Sequence, residues 1–300
     1  MTFSSLPYAV FGVTGRTGAA AADALLQDGQ RVRVVVRNPA QSQPWADRGA
    51  EVAVADLTDV ASMTRALRNV RGAYVVCPQQ YGREDLFEQA AWMADAVAKA
   101  AVAAGVPRLV ALSSVGADRD CKIGWIGMNR VFEQRVGDAG VPTIFLRAAY
   151  FMENWTPLVH QAVRSGTLPT FLAPPQRRIP MVATLDVGRA AAALLQEEWT
   201  QTRAVTLTGP QDYSPHDVAA VVSATIHKPV DVAVLSPADW PLALAGAHFS
   251  KAALAGFTEM TVGLNSSHID IKSDAGAAQR AGTTALEQVI AAIARSQQPG

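Results

Sequence analysis

From Tyr8 to Ser114, short apolar runs rich in β-branched residues alternate with longer segments in which apolar residues return every three or four positions. That alternation is the signature of βαβ units around a parallel sheet. The runs Tyr8–Gly12, Arg31–Val36, Glu51–Ala55, Gly72–Val76, Arg108–Leu112 and Thr143–Arg147 read as strands. Helical periodicity fills Arg16–Gln27, a segment from about Asp59 to Leu67, a long one from about Glu84 to Ala104, and one near Gly127–Ala139.

Beyond Arg147 the regularity falls away. Gly166–Pro180 is rich in proline and reads as loop. Thr184 is placed as the N-cap of a helix over Leu185–Glu197. A strand at Ala204–Thr208, a helix over Ser214–Ile226, a strand at Asp231–Leu235 and an amphipathic helix over Thr284–Ala294 complete the pattern. The expected fold is α/β: a doubly wound, Rossmann-like parallel sheet with a smaller C-terminal α+β lobe. Residues 1–150 are expected to form the nucleotide-binding domain and 151–300 the substrate lobe, with 181–208 folding back on the first domain.

Gly12-Val-Thr14-Gly15-Arg16-Thr17-Gly18 follows a strand directly and opens a helix, the context that lifts a glycine pattern above coincidence. Its spacing is GxxGxxG. The first glycine turns the chain, the second lets backbone N–H groups approach a pyrophosphate, and the third lets the helix pack on the strand. The helix N-terminus adds partial positive charge, with Arg16 and Thr17 as further donors. At the end of the second strand an NAD site carries a carboxylate for the ribose 2′-hydroxyl; here stand Arg37 and Asn38, which suit a 2′-phosphate. The cofactor expected is NADP(H). Asp56-Leu57 is placed to meet the adenine, although Asp56 also suits the N-cap of the following helix. Cys77-Pro78-Gln79 ends the fourth strand and Ser113-Ser114 the fifth, where the crevice of an open α/β sheet takes its ligand.

Composition narrows the chemistry. Of 300 residues, 26 are Lys or Arg and 26 Asp or Glu, so the chain has no net field to gather nucleic acid. No apolar run approaches the roughly 20 residues of a membrane span. Two cysteines, Cys77 and Cys121, build no disulfide framework, and a reducing cytoplasm is expected. The histidines are too dispersed for a helical metal pair, and there is no GxSxG elbow, so neither a metal nor a hydrolase nucleophile is expected.

Several motifs together resemble the NmrA-like branch of the atypical short-chain dehydrogenases, which includes NADPH-dependent quinone reductases. They are Val10–Gly18, Arg37–Pro39, Asp56-Leu57, Leu112–Gly116, Leu146–Asn154 and Ile179–Gly188. The resemblance implies that the segment around Phe151 to Asn154 borders the nicotinamide pocket, and Tyr150 and Phe151 are expected to meet the cofactor. Typical short-chain dehydrogenases use a Tyr-x-x-x-Lys pair, but none of the 5 tyrosines here has a lysine four residues on. Near the usual lysine position stands Asn129, which can bond a nicotinamide ribose but carries no charge.

Two functions remain. The first is hydride transfer from NADPH to a quinone, azo or similar conjugated acceptor, stacked among aromatic side chains. Trp125, Phe151, Asn154 and Trp155 are the expected substrate contacts, Phe171, Trp240 and Phe249 further aromatics of the lobe, and Tyr150 and His160 the candidate proton donors. The second is a nonenzymatic NADP-binding redox sensor of the NmrA type, for which a protein partner follows. Otherwise the expected partners are a small aromatic substrate and a second copy of the chain as a homodimer.

Overall fold

The computed structural model describes residues 6–270 and 276–297. The chain enters its sheet in the middle at β1 (Tyr8–Phe11), passes through α1 (Arg16–Gln27) to β2 (Val32–Val36), and through the one-turn α2 (Gln43–Ala46) to the edge strand β3 (Glu51–Val54). Helix α3 (Val60–Leu67) carries it back across β1 to β4 (Gly72–Val75). Then α4 (Leu86–Ala104), β5 (Leu109–Ser114), α5 (Ile126–Gly137) and β6 (Thr143–Ala148) extend the sheet outward. The two-residue β7 (Tyr150–Phe151), α6 (Thr156–Ser165), β8 (Thr167–Thr170), β9 (Ile179–Val182) and α7 (Thr184–Gln196) precede β10 (Arg203–Thr208), which rejoins the sheet. The rest is β11 (Asp212–Tyr213), α8 (Pro215–Ile226), β12 (Asp231–Val234), the one-turn α9 (Trp240–Ala243), α10 (Lys251–Asn265), β13 (Ala278–Ala281) and α11 (Leu286–Arg295).

The main sheet has 8 strands in the order β13-β10-β6-β5-β4-β1-β2-β3, and every neighbouring pair runs parallel. This is the doubly wound α/β fold expected. The direction of winding reverses between β1 and β4, so the crevice of the fold opens at the carboxyl ends of those two strands. Both faces are covered, which is why the strands are apolar at successive positions. Val10, Val34, Tyr74 and Val110 pack against α1 and α7 on one face, and Ala9, Phe11, Ala73 and Leu109 against α3, α4 and α5 on the other. Alanine sets the spacing of the first layer. A Cβ on Gly188 of α7 would lie 2.4 Å from Ala20 Cβ and 2.6 Å from the Thr17 carbonyl of α1.

A third core, with Trp155, Val159, Leu168, Tyr213 and Val222 at its centre, joins α6, α8 and α11 beside the sheet. The main sheet draws β10 and β13 from beyond residue 150. Three expectations are corrected here. The segment read as loop from Gly166 contains β8, which pairs in parallel with β12; Pro169 is tolerated because β8 has a neighbour on one side only. Helices α6 and α10 were not expected. Thr184 lies in the first turn of α7 and Ala183 is the N-cap. The Glu153 carboxylate does the capping, accepting the Thr184 backbone N–H at 2.9 Å and its hydroxyl at 2.5 Å.

Candidate active site

At the carboxyl end of β1 the backbone turns through Gly12 at φ +72°. A Cβ on Gly18 would lie 2.2 Å from the Gly12 carbonyl oxygen, so helix and turn can meet this closely only through glycine. Gly15 is the N-cap of α1 and brings no side chain to cap it, which leaves first-turn N–H groups and the positive end of the helix dipole open to an anion. Arg37 and Asn38 are exposed beyond β2. Asp56 accepts the Thr58 N–H at 2.8 Å and its hydroxyl at 2.7 Å. Those bonds, with a smaller contribution from the Arg37 guanidinium, hold its carboxyl below the usual carboxylate range. Asp59, not Asp56, caps α3, accepting Ala61 N–H at 2.9 Å.

The crevice continues into a cavity of about 1320 Å³. One wall carries Arg16, Thr17, Cys77, Pro78, Gln79, Ser113, Ser114 and Asn129, the other Tyr150, Phe151, Asn154 and a group of aromatic rings. Burial pushes the Cys77 thiol up to about 12, so no thiolate stands here at neutral pH. Burial likewise raises the Tyr150 phenol above its usual range, while a hydrogen bond with Asn154 acts in the opposite direction. Tyr150 therefore keeps its proton and serves as a hydrogen-bond donor, with no lysine to lower it. At the end of β5 the Ser113 hydroxyl donates to the buried Glu133 carboxylate at 2.5 Å. Glu133 is itself held by Arg147 of β6 through Nε at 2.9 Å and Nη2 at 2.6 Å.

The aromatic wall is assembled from four separate stretches of chain. Tyr81 stacks on Trp125 with ring centroids 4.0 Å apart, and Phe249 and Phe257 meet Trp125 edge-on at 5.1 and 5.3 Å. Phe171 reaches Phe257 at 5.1 Å. The arrangement depends on α10 lying close to the loop before α5. The Trp125 indole N–H donates to the Ala253 carbonyl at 2.7 Å, and a Cβ on Gly256 would lie 2.6 Å from Trp125 Cδ1. The α10 N-terminus is tied down separately, its Lys251 and Ala252 N–H groups each donating at 3.0 Å to the Glu84 carboxylate.

The sequence model of the NmrA-like family matches residues 8–250. The chain belongs to the NmrA-like family. It is 29% identical over 225 residues to the NAD(P)H azoreductase of Xenophilus azovorans, covering 74% of each chain. It is 31% identical over 228 residues to the (4-alkanoyl-5-oxo-2,5-dihydrofuran-3-yl)methyl phosphate reductase of Streptomyces griseus, covering 73% of this chain and 74% of that one. Among solved structures, the NADPH-dependent quinone oxidoreductase of Escherichia coli in complex with NADPH superposes with a TM-score of 0.78 at 24% identity, over 95% of this chain and 99% of that one, a likeness of fold.

Of the residues singled out in this NmrA-like sequence, the cavity wall brings together Arg16, Thr17, Cys77, Pro78, Gln79, Ser113, Ser114, Asn129, Trp125, Tyr150, Phe151, Asn154 and Trp155. Trp155 adjoins the cavity from inside the lobe core, at 0% exposure. Gly12, Thr14, Gly15 and Gly18 build the turn behind Arg16, and Arg37, Asn38, Asp56 and Leu57 follow β2 and β3, on the far side of β1 from the cavity. His160 of α6 is not among the residues that line the cavity. Trp240, one of the further aromatics of the lobe, is buried behind Phe171 and Phe257 with its indole N–H donated to the Leu235 carbonyl at 3.0 Å. Tyr81, Phe257, Glu84 and Glu133 were missed. Tyr81 was within reach of sequence reasoning, standing four residues past Cys77 in a loop at the carboxyl end of β4. No metal-binding group of three or more His, Cys, Asp or Glu occurs among the described residues, and no helix there is long and apolar enough to cross a membrane.

Proposed function

We propose that this chain is an NADPH-dependent reductase that passes hydride to a small conjugated aromatic acceptor, a quinone or an azo compound. The observation that carries the reading is the single cavity running from the strand-order reversal, with Arg16 and Thr17 at its base, to a wall of stacked aromatic rings. Its volume of about 1320 Å³ exceeds the roughly 300–1,000 Å³ of ordinary ligand sites, which leaves room for the end of a dinucleotide and a flat second molecule. The azoreductase likeness supports the acceptor class, and the solved NADPH complex supports the cofactor.

The glycine cradle fits the nucleotide. Backbone N–H groups at the start of α1 and Arg16 would hold the pyrophosphate, Arg37 and Asn38 the 2′-phosphate, Asp56 and Leu57 the adenine, and Asn129 the nicotinamide ribose. When bound, NADPH supplies a hydride, two electrons with their proton. The aromatic wall stacks the acceptor. The acceptor also needs one proton; Tyr150 is placed to hydrogen-bond the reduced oxygen or nitrogen, and the proton itself is drawn from solvent, because a conjugated anion is a modest base. In this reading residues 1–150 with 181–208 bind nucleotide, and the rest of 151–300 shapes the acceptor site together with Tyr81 and Trp125.

A purified sample mixed with NADPH and a panel of quinones and azo dyes should lose reduced-nicotinamide absorbance with at least one acceptor. The protonated Tyr150, with no lysine beside it, favours a second reading, an NADP-binding sensor. Tight NADP(H) binding without turnover across the panel would favour the sensor over the reductase.

A further inference from the structure

The proposed mechanism does not use the ion pair between Glu133 and Arg147, yet both lie at the edge of the site with side chains only 10% and 12% exposed. The carboxylate accepts both guanidinium bonds and the Ser113 hydroxyl at once. Ser113 is 3% exposed and lines the cavity.

A carboxylate paired bidentately with arginine has no proton to offer and accepts only. The Ser113 hydrogen is therefore committed to Glu133, and what the oxygen presents to the cavity is lone pairs. A serine free to rotate would serve as donor or acceptor; this one is restricted to accepting. Asn129 precedes Glu133, the partner of Ser113, by one helical turn on α5 and lines the same cavity, so one ligand can meet both Ser113 and Asn129. In the reading above, that ligand is the nicotinamide ribose, which brings two hydroxyl donors. We propose that Glu133 and Arg147 are positioning residues that lock Ser113 as a hydrogen-bond acceptor for a hydroxyl of the nicotinamide ribose. The same lock bars Ser113 from donating to the acceptor molecule, which leaves that part to Tyr150.

The proposal rests on NADP(H) being the ligand, and binding measurements separate its failure from failure of that reading. Three probes are titrated by calorimetry: NADP⁺, 2′-phospho-ADP-ribose, which keeps the second ribose but lacks nicotinamide, and adenosine 2′,5′-bisphosphate, which lacks both. In Ser113→Ala, Kd for the first two should rise about five- to tenfold, the loss of one hydrogen bond, and Kd for the bisphosphate should stay within twofold. Glu133→Gln should reproduce this pattern, and the Ser113→Ala, Glu133→Gln double variant should be no weaker than the worse single one.

Removing one member of a buried pair can unfold a protein, so Glu133→Met with Arg147→Met, which replaces the pair by apolar volume, provides a second route to the same selective loss. Equal losses on all three probes would show a merely structural role and overturn the proposal. So would a loss confined to NADP⁺, which would move the contact from ribose to carboxamide, or additive losses in the double variant. If no probe binds the wild-type protein, it is the NADP(H) reading itself that falls.

Discussion

The two walls of the cavity are built on different principles. On the nucleotide side, function is held in backbone geometry: glycines at the end of β1, an uncapped helix start, and strand ends brought together by the winding of the sheet. The glycine contacts join residues close in sequence and tolerate almost no side chain. On the aromatic side, Tyr81, Trp125, Phe171, Phe249 and Phe257 come from stretches far apart and meet only because α10 is pinned against the loop before α5. The first wall suits a ligand that never changes, and the second can be re-faced one ring at a time.

If the division is real, lesions on the two sides should separate. Gly18→Val is the severest. Its Cβ would sit 2.2 Å from the Gly12 carbonyl oxygen, a backbone atom that cannot move aside, and overpacking of this kind costs about 3 kcal/mol or more. We expect a lower Tm and no measurable NADPH binding by calorimetry; near-normal binding would refute the close-packed turn. Next is Arg37→Ala, which should raise Kd for NADPH about 10- to 100-fold, the worth of a charge-assisted contact, and leave NADH nearly unchanged. Equal effects on both nucleotides would remove Arg37 from the site. Gly256→Leu acts on the other wall, driving a side chain into Trp125 Cδ1. It should raise the KM for a quinone or azo acceptor about tenfold with NADPH affinity kept within twofold, and parallel losses would mean the two walls are one unit.

The same contrast explains what was legible in the sequence. The β1 turn and the strand ends could be read because each signal is local: a glycine spacing, an apolar strand followed by serine. Which aromatic and titratable residues of the second half face the cavity was not legible, because such a residue says nothing of which way its helix faces. The helix at Lys251–Asn265 escaped notice because the positions it buries include Ala253, Gly256, Thr261 and Gly263, small residues that leave no hydrophobic stripe. Its packing depends on what those residues lack, and Gly256 reads as a helix breaker until Trp125 is seen to fill its place. Glu153, far from α7 in sequence, caps it only once the lobe has folded back, so Thr184 looked like the cap.

The smallest effect expected concerns the tie between the two walls. Glu84 stands in the loop after β4 and accepts the Lys251 and Ala252 N–H groups at the start of α10. Those two bonds, the larger from Lys251, hold its carboxyl below the ordinary value of 4.5. A carboxyl whose folded value is depressed contributes stability that is complete above the unfolded value and is lost as pH falls through the folded one. The tie is therefore intact at neutral pH and loosens only below about 4.5. Because Glu84 is exposed, the loss should be local: hydrogen exchange of the Lys251 and Ala252 amides should accelerate on acidification beyond the intrinsic trend, while amides of β1 and β4 stay protected. Glu84→Gln should show the faster exchange already at neutral pH and remove the extra acid response, with Kd for NADPH unchanged and a modest rise in acceptor KM. An acid response that survives in Glu84→Gln would place the loosening elsewhere in α10, and a loss of NADPH affinity in that variant would mean that the nucleotide wall leans on the aromatic one after all.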